Sequence, residues 1–338
     1  MEHSTLLSAA DIRKHFPLKA GFFGRAPVLK AVDGISFGVK GNTVFALVGE
    51  SGCGKSTVAR LILRLLPLTS GTITFKGQDL SRLQGHGLKA FRRAAQIIFQ
   101  DPFASLNPRM RVLDTLSEPF KIHKLAPRGE IRSRVVDLLR KVGLDEEVLN
   151  KYPHEFSGGQ RQRICIARAL SVSPELIVAD EPLSALDVSI QAQILNLFQD
   201  IRRETAISLI FISHDLNVVR YLSDDVAVMY LGRIVEKGPT DDIFRSPRHP
   251  YTKLLLVSVP TIRHRGESSE GLREPRAARH AAGGERRGGP SADVPSPVEI
   301  PAGCPFHPRC PERIGICDSA IPELRNRGAS QVSCHLYD

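Results

Sequence analysis

Residues 49–57 read Gly49-Glu50-Ser51-Gly52-Cys53-Gly54-Lys55-Ser56-Thr57. The stretch fits G-x-x-x-x-G-K-[ST], and its neighbours agree. The continuous apolar run Thr43–Val48 predicts a buried strand before it, and Lys55 to about Leu66 predicts a helix after it, stopped by Pro67. Glycines let a backbone wrap phosphate oxygens without a Cβ in the way. Successive N–H groups at a helix N-terminus then turn positive dipole toward the anion. Lys55 is expected to reach the β- and γ-phosphates of a nucleotide, and Ser56 to ligate Mg²⁺ through its hydroxyl. A chance glycine turn would not bring the lysine, the hydroxyl and both flanking elements together.

Downstream, Leu176-Ile177-Val178-Ala179-Asp180-Glu181 is an apolar strand that ends in two acids. The C-terminal ends of strands are where α/β sheets bind ligands. Asp180 is read as the Mg²⁺ partner, through water, and Glu181 as the group that polarises the attacking water. Alone, such a pair would be a solvated strand end; the loop at 49–57 decides otherwise. Further strands are expected at Ile35–Val39, Gly71–Phe75, Ala95–Phe99, Ser208–Ile212, Val226–Tyr230 and Arg233–Lys237. Helices are expected at Ile131–Val142, from Ser157 to about Leu170, at about Ile190–Glu204, at Leu216–Leu222 and at His249–Val259. Strands alternating with helices imply a doubly wound α/β sheet, and about 101–170 looks like a helical insertion in it.

Composition limits the rest. The 338 residues are 42% hydrophobic, ordinary for a chain that buries a core. No run approaches the ~18 apolar residues of a membrane span, and Met1–Ala10 lacks the pattern of a secretory signal. The chain is therefore expected to be soluble and to act on membranes only through partners. The net charge is +10, and seven arginines (Arg263, Arg265, Arg273, Arg276, Arg279, Arg286, Arg287) fall in one stretch poor in large apolar residues. That stretch reads as a flexible basic linker over 260–297 rather than a nucleic-acid surface. Four of the six cysteines (Cys304, Cys310, Cys317, Cys334) crowd into the tail at 298–338. Disulfides are rare in the cytosol, so the cluster suggests a metal, with iron–sulfur, zinc and bare thiols all open on spacing alone.

Residues 156–161 read Phe156-Ser157-Gly158-Gly159-Gln160-Arg161. Here the sequence resembles the ABC ATPase family, whose signature is Leu-Ser-Gly-Gly-Gln; Phe156 replaces the leucine. The match runs from about Leu6 to Val259, with motifs in the family's order. Gln100 in Ile-Ile-Phe-Gln-Asp resembles the Q-loop glutamine, Ser184–Asp187 the D-loop, and His214 in Phe-Ile-Ser-His-Asp the switch histidine. The resemblance implies a P-loop NTPase over 1–259, with a RecA-like core, an antiparallel β-subdomain and an α-helical subdomain. It also implies two such domains facing head to tail. ATP held by Gly49–Thr57 of one would meet Ser157, Gly158, Gly159 and Gln160 of the other, Gln100 would reach Mg²⁺, and His214 would hold the γ-phosphate and water near Glu181. Adenine would stack on an aromatic upstream of the loop. Phe16 is the best match, although the stretch Pro17–Pro27 looks inserted and carries Phe22 and Phe23.

Three further stretches are similar to the dipeptide, oligopeptide and nickel group of importers: Asp101–Arg109 with Glu118-Pro119, Arg248-His249-Pro250-Tyr251-Thr252, and Gly303–Pro311 with Ser333–Leu336. The likeness is greatest to the second of two paired ATPases. It implies a heterodimer with a second ATPase subunit, two transmembrane permeases, an extracytoplasmic peptide-binding protein, and a peripheral place on the cytoplasmic face of the inner membrane. For the four cysteines it implies a [4Fe–4S] cluster, preferred to Zn²⁺. Nickel, glutathione or another small solute is the alternative cargo. A soluble ABC ATPase of nucleic acid or ribosomes is disfavoured: relatives of that kind carry coiled coils or two ATPase units, and this chain has one unit and no heptads.

Overall fold

Val44–Val48, buried at every residue, lies at the centre of the molecule's main sheet. A computed structural model describes residues 4–18, 27–257 and 295–338. In chain order the strands are β1 (Thr5–Pro17), β2 (Val28–Lys40), β3 (Val44–Val48), β4 (Ser70–Phe75), β5 (Gln78–Asp79), β6 (Ala95–Ile98), β7 (Leu176–Asp180), β8 (Ser208–Ser213), β9 (Asp225–Tyr230), β10 (Arg233–Pro239), β11 (Arg325–Arg327) and β12 (Ser330–Val332). The helices are α1 (Lys55–Ile62), α2 (Gly85–Ala94), α3 (Pro102–Ser105), α4 (Val112–His123), α5 (Ile131–Lys141), α6 (Gly158–Leu170), α7 (Val188–Glu204), α8 (Leu216–Leu222), α9 (Thr240–Arg245) and α10 (Pro250–Val257).

The strands form two sheets. The first is antiparallel, in the order β2-β1-β4-β5; the second runs β11-β12-β10-β9-β3-β8-β7-β6. In the second, β6, β7, β8, β3 and β9 are mutually parallel. Such strands are covered on both faces, which is why β3, β7 and β8 read as unbroken apolar runs. The C-terminal ends of β3 and β7 bring Gly49 and Glu181 to one edge of this sheet.

One carboxylate ties the two sheets together. Asp33 of β2 accepts from Arg233 of β10 at 2.6 Å and meets His15 Nε2 of β1 at 3.0 Å. Burial raises the Asp33 pKa, but the Arg233 charge and hydrogen bond more than offset this and hold it below the usual range.

Between β6 and β7 the regular elements are all helical, as the sequence predicts for about 101–170. Two boundaries differ from expectation. α1 ends at Ile62 rather than near Leu66: Arg64 turns left-handed (φ 53°), and the N–H groups of Leu65 and Leu66 both fall back on the Arg60 carbonyl. β1 is not foreshadowed by any alternation, because register shifts against β2 and a left-handed Asp11 (φ 46°) break its period.

The cysteine-rich tail does not build a core of its own. β12 pairs antiparallel with β10 and β11 with β12, so a hairpin extends the main sheet at its edge. Cys304, Phe306 and Cys317 are buried in one cluster with Tyr230 and Tyr251. The expected linker lies almost wholly outside the described residues, as do its seven arginines, Phe22 and Phe23.

Candidate functional site

The loop after β3 is shaped by close backbone approach. A Cβ on Gly49 would stand 2.1 Å from the Met229 carbonyl oxygen, and one on Gly54 (φ 107°) would stand 2.1 Å from that of Ala31. Only glycine satisfies both contacts. Lys55 opens α1, is 4% exposed, and donates from Nζ to the carbonyl oxygens of Gly49 (2.8 Å) and Glu50 (3.0 Å). An anion placed inside the loop would take over these donor positions.

Around this loop the expected groups converge. Ser56 Oγ donates to Asp180 Oδ1 at 3.0 Å, joining the two residues read as Mg²⁺ ligands. Lys55 Nζ lies 3.8 Å from Glu181 Oε1. Gln100 Nε2 donates to Glu181 Oε2 at 3.2 Å, and His214 Nδ1 is 3.3 Å from that same oxygen. Glu181 is only 14% exposed whereas His214 is 59% exposed, so the histidine reaches in from an exposed rim toward a sheltered carboxylate. Glu181 is also left-handed (φ 47°), a costly conformation for a side-chain-bearing residue. It is held there by its own N–H on the Ile212 carbonyl and by Ser184, whose hydroxyl and N–H both donate to its carbonyl oxygen.

Burial pushes the Asp180 carboxyl above the usual range; the Glu181 charge acts the same way, and the Ser56 hydroxyl opposes both. A divalent cation beside it would reverse that balance. Beside these groups lies a cleft of about 300 Å³ whose walls include Phe16, Lys30, Ser51, Thr57, Gln100 and Glu181. Phe16 sits on β1 opposite Leu29 of β2, and both line this cleft. A larger concavity of about 750 Å³, beside Phe120 and Ile131, holds none of the phosphate-handling residues.

Ser157–Gln160 do not line the cleft of their own chain. Ser157 caps α6, accepting from Gln160 N, while the Gln160 side chain accepts from Ser157 N. A Cβ on Gly159 would lie 2.5 Å from Ile190 Cγ2, so this glycine lets α6 start against α7.

Sequence reasoning did not assign Tyr251 to the site. Its hydroxyl accepts the backbone N–H of Glu50 at 2.9 Å, and its burial pushes the phenol pKa up. The signal was present in Arg248–Thr252, read only as a family likeness.

Burial pushes Cys304 and Cys310 up to about 11 and raises Cys334, and neighbouring tail cysteines act in the same direction on these three. Among the described residues, however, no three His, Cys, Asp or Glu side chains are spaced to hold a metal ion. The expectation of [4Fe–4S] or Zn²⁺ at Cys304, Cys310, Cys317 and Cys334 is therefore unsupported in this arrangement. Cys304 and Cys317 share a buried cluster with Phe306, Cys310 packs against it, and backbone contacts such as Cys304 N on Cys317 O fix the turns.

Comparison with known proteins places the chain. The "ABC transporter" family profile matches residues 32–184, and "Oligopeptide/dipeptide transporter, C-terminal region" matches 235–288 and 279–317. The chain is 48% identical to the oligopeptide transport ATP-binding protein AppF of Bacillus subtilis, over 98% of both chains. It is 44% identical to the dipeptide transport ATP-binding protein DppF of Escherichia coli, over 98% of this chain and 95% of that one. Among solved structures, the dimeric ATP-binding cassette MJ0796 bound to ADP and Pi superposes with a TM-score of 0.61 at 26% identity, covering 69% of this chain and 98% of that one. The chain thus belongs to the ABC transporter ATPases, in their oligopeptide and dipeptide transport ATP-binding branch.

Proposed function

We propose that this chain binds and hydrolyses ATP to energise import of dipeptides or oligopeptides, with Glu181 as the group that activates water. The observation that carries the reading is the meeting of Lys55, Gln100 and His214 at one sheltered carboxylate beside the Ser56–Asp180 pair. The peptide cargo rests on the relatives, which are named as oligopeptide and dipeptide transport proteins.

Each residue then has a task. The loop at 49–57 offers N–H groups and Lys55 to the phosphates, and Phe16 offers its ring to adenine. Glu181 accepts the proton of the attacking water, and His214 holds that water and the γ-phosphate in line. Gln100 orients the same carboxylate by donating to the oxygen that faces His214. Mg²⁺, when bound, neutralises phosphate charge, and Ser56 and Asp180 with Gln100 are the residues that would hold it.

Ser157, Gly158, Gly159 and Gln160 serve the nucleotide of a second ATPase subunit, an assignment favoured by their separation from the cleft of their own chain. No helix among the described residues is long and apolar enough to cross a membrane. On the transport reading, the working unit includes two permeases and an extracytoplasmic peptide-binding protein, with this chain peripheral on the cytoplasmic face. The test is a pull-down from detergent-solubilised native membranes. Two permeases and a second ATPase are expected; ribosomal or DNA-repair partners would overturn the transport reading and leave the ATPase chemistry standing.

The metal content of the tail is a separate question, answered by iron and zinc analysis of anaerobically purified protein. Stoichiometric iron would establish a cluster at the four cysteines, and none would leave them as packed thiols.

A further inference from the structure

Glu50 puts a carboxylate into a loop whose work is to attract phosphate. Its partner comes from the far end of the chain. Arg309, in the 3₁₀ turn His307–Arg309, donates from Nη1 to Glu50 Oε2 at 2.8 Å and from Nη2 to Oε1 at 2.9 Å. The two prongs make a planar fork on the carboxylate, the strongest geometry available to such a pair. The pair is sheltered, with Arg309 10% exposed and Glu50 27% exposed. The guanidinium also lies 5.8 Å from the ring centres of both Tyr230 and Phe306, and Phe306 is 1% exposed within a cage of Tyr230, Tyr251 and His249.

Glu50 is thus held at three points: its side chain by Arg309, its N–H by Tyr251, and its carbonyl oxygen by Lys55. Two of those three come from the C-terminal region. We propose that Arg309 is a positioning residue of the nucleotide site: the cysteine-rich tail supplies the cation that fixes Glu50 and cancels its charge, so a seated tail is a condition of tight nucleotide binding. The inference rests on the phosphate-loop reading of 49–57 and deepens it. It also gives the stretch Gly303–Pro311 a function beyond its cysteines: Phe306 seats the turn and Arg309 reaches the loop.

The physical consequence is specific. Without Arg309 the loop keeps an uncompensated carboxylate close to where phosphate charge must sit, and like charges there oppose binding. Removing that carboxylate as well relieves the repulsion; a purely structural contact would instead show as lost thermal stability with ADP affinity unchanged in the folded variant.

The test uses the full-length chain and a fluorescent ADP analogue, with thermal unfolding followed in parallel. Arg309→Gln should weaken ADP binding about tenfold at low salt and less at high salt, where charge is screened. The double variant Arg309→Gln/Glu50→Gln should regain most of the lost affinity. Arg309→Lys, which keeps the charge but not the fork, should fall between wild type and Arg309→Gln; it decides the matter if the glutamine variant does not fold. Unchanged ADP affinity in a folded Arg309 variant overturns the proposal, as does a double variant that binds no better than Arg309→Gln. Lys55→Ala in the same titration separates the two levels. Weak binding there with normal binding in the Arg309 variants removes the role of Arg309 alone, while normal binding in both removes the phosphate-loop reading with it.

Discussion

Nδ1 of His214 stands 3.3 Å from Oε2 of Glu181. The histidine follows β8 and the carboxylate follows β7, and those strands are hydrogen-bonded neighbours with Asp180 opposite Ile212. The strand pairing therefore sets the distance. Glu181→Gln keeps the shape and the hydrogen bond from Gln100 but cannot take a proton. ATP hydrolysis should fall by about 10²–10⁴-fold, with ATP affinity retained. Steady-state phosphate release and a nucleotide titration on the same preparation check this, and normal turnover would remove Glu181 from the mechanism.

Gly159 separates what a residue does for its own chain from what it does for a partner. A methyl group there meets Ile190 Cγ2 at 2.5 Å and displaces the start of α6. Gly159→Ala should leave ADP binding to the isolated subunit unchanged and cut hydrolysis roughly tenfold to a hundredfold, the scale of a small misplacement at a reacting site. A parallel loss of ADP binding would mean that Ser157–Gln160 act within their own chain.

How far these features could be read in advance depended on whether their cause was local. Gly49–Thr57 carries its own geometry, since the glycines, the lysine and the strand before them lie within a few residues. Leu176–Glu181 was equally legible, because a buried parallel strand leaves an unbroken apolar run. Arg309 on Glu50 was not legible: the two are 259 residues apart, and long-range packing of Phe306 on Tyr230 and Tyr251, with the addition of β12 to β10, brings the tail to the loop. The left-handed backbone of Glu181 was hidden for the same reason, being imposed by Ile212 and Ser184. The cysteine spacing drew attention to metal, whereas the packing around Phe306 gives those positions an apolar neighbourhood.

His249 gives a pH dependence with a definite sign. It is fully buried, its Nδ1 accepts the Tyr251 N–H at 3.0 Å, and burial lowers its pKa to about 3 from 6.5. Between those values the unfolded chain holds a proton that the folded chain refuses, so stability falls as pH drops below 6.5. The slope from this one group approaches about 1.4 kcal/mol per pH unit. His249→Asn preserves an acceptor without a titrating ring. Denaturant unfolding of both proteins between pH 7 and about 5 should show the wild type losing its advantage as the pH falls. A constant difference across that range would mean that His249 takes up a proton as readily in the fold as in the unfolded chain.

Gly238 tests whether the tail is held by the sheet edge. It lies on β10, and a Cβ there would be 2.7 Å from Ser330 Cβ and 2.9 Å from Ser330 Cα on β12. The second of these is backbone and cannot step aside by a rotamer change. Gly238→Val should therefore push the β11–β12 hairpin off its neighbour at a cost of roughly 1–3 kcal/mol. The hydrogen bonds between Glu236, Lys237 and their partners Val332 and Gln331 should open with it. Hydrogen exchange in 325–332 should then rise sharply while β7 and β8 stay protected, because their buried residues lie in clusters apart from Phe306 and the tail cysteines. Unchanged protection at Val332 would show that the hairpin is seated by the Phe306 cage and Arg309 rather than by its pairing with β10.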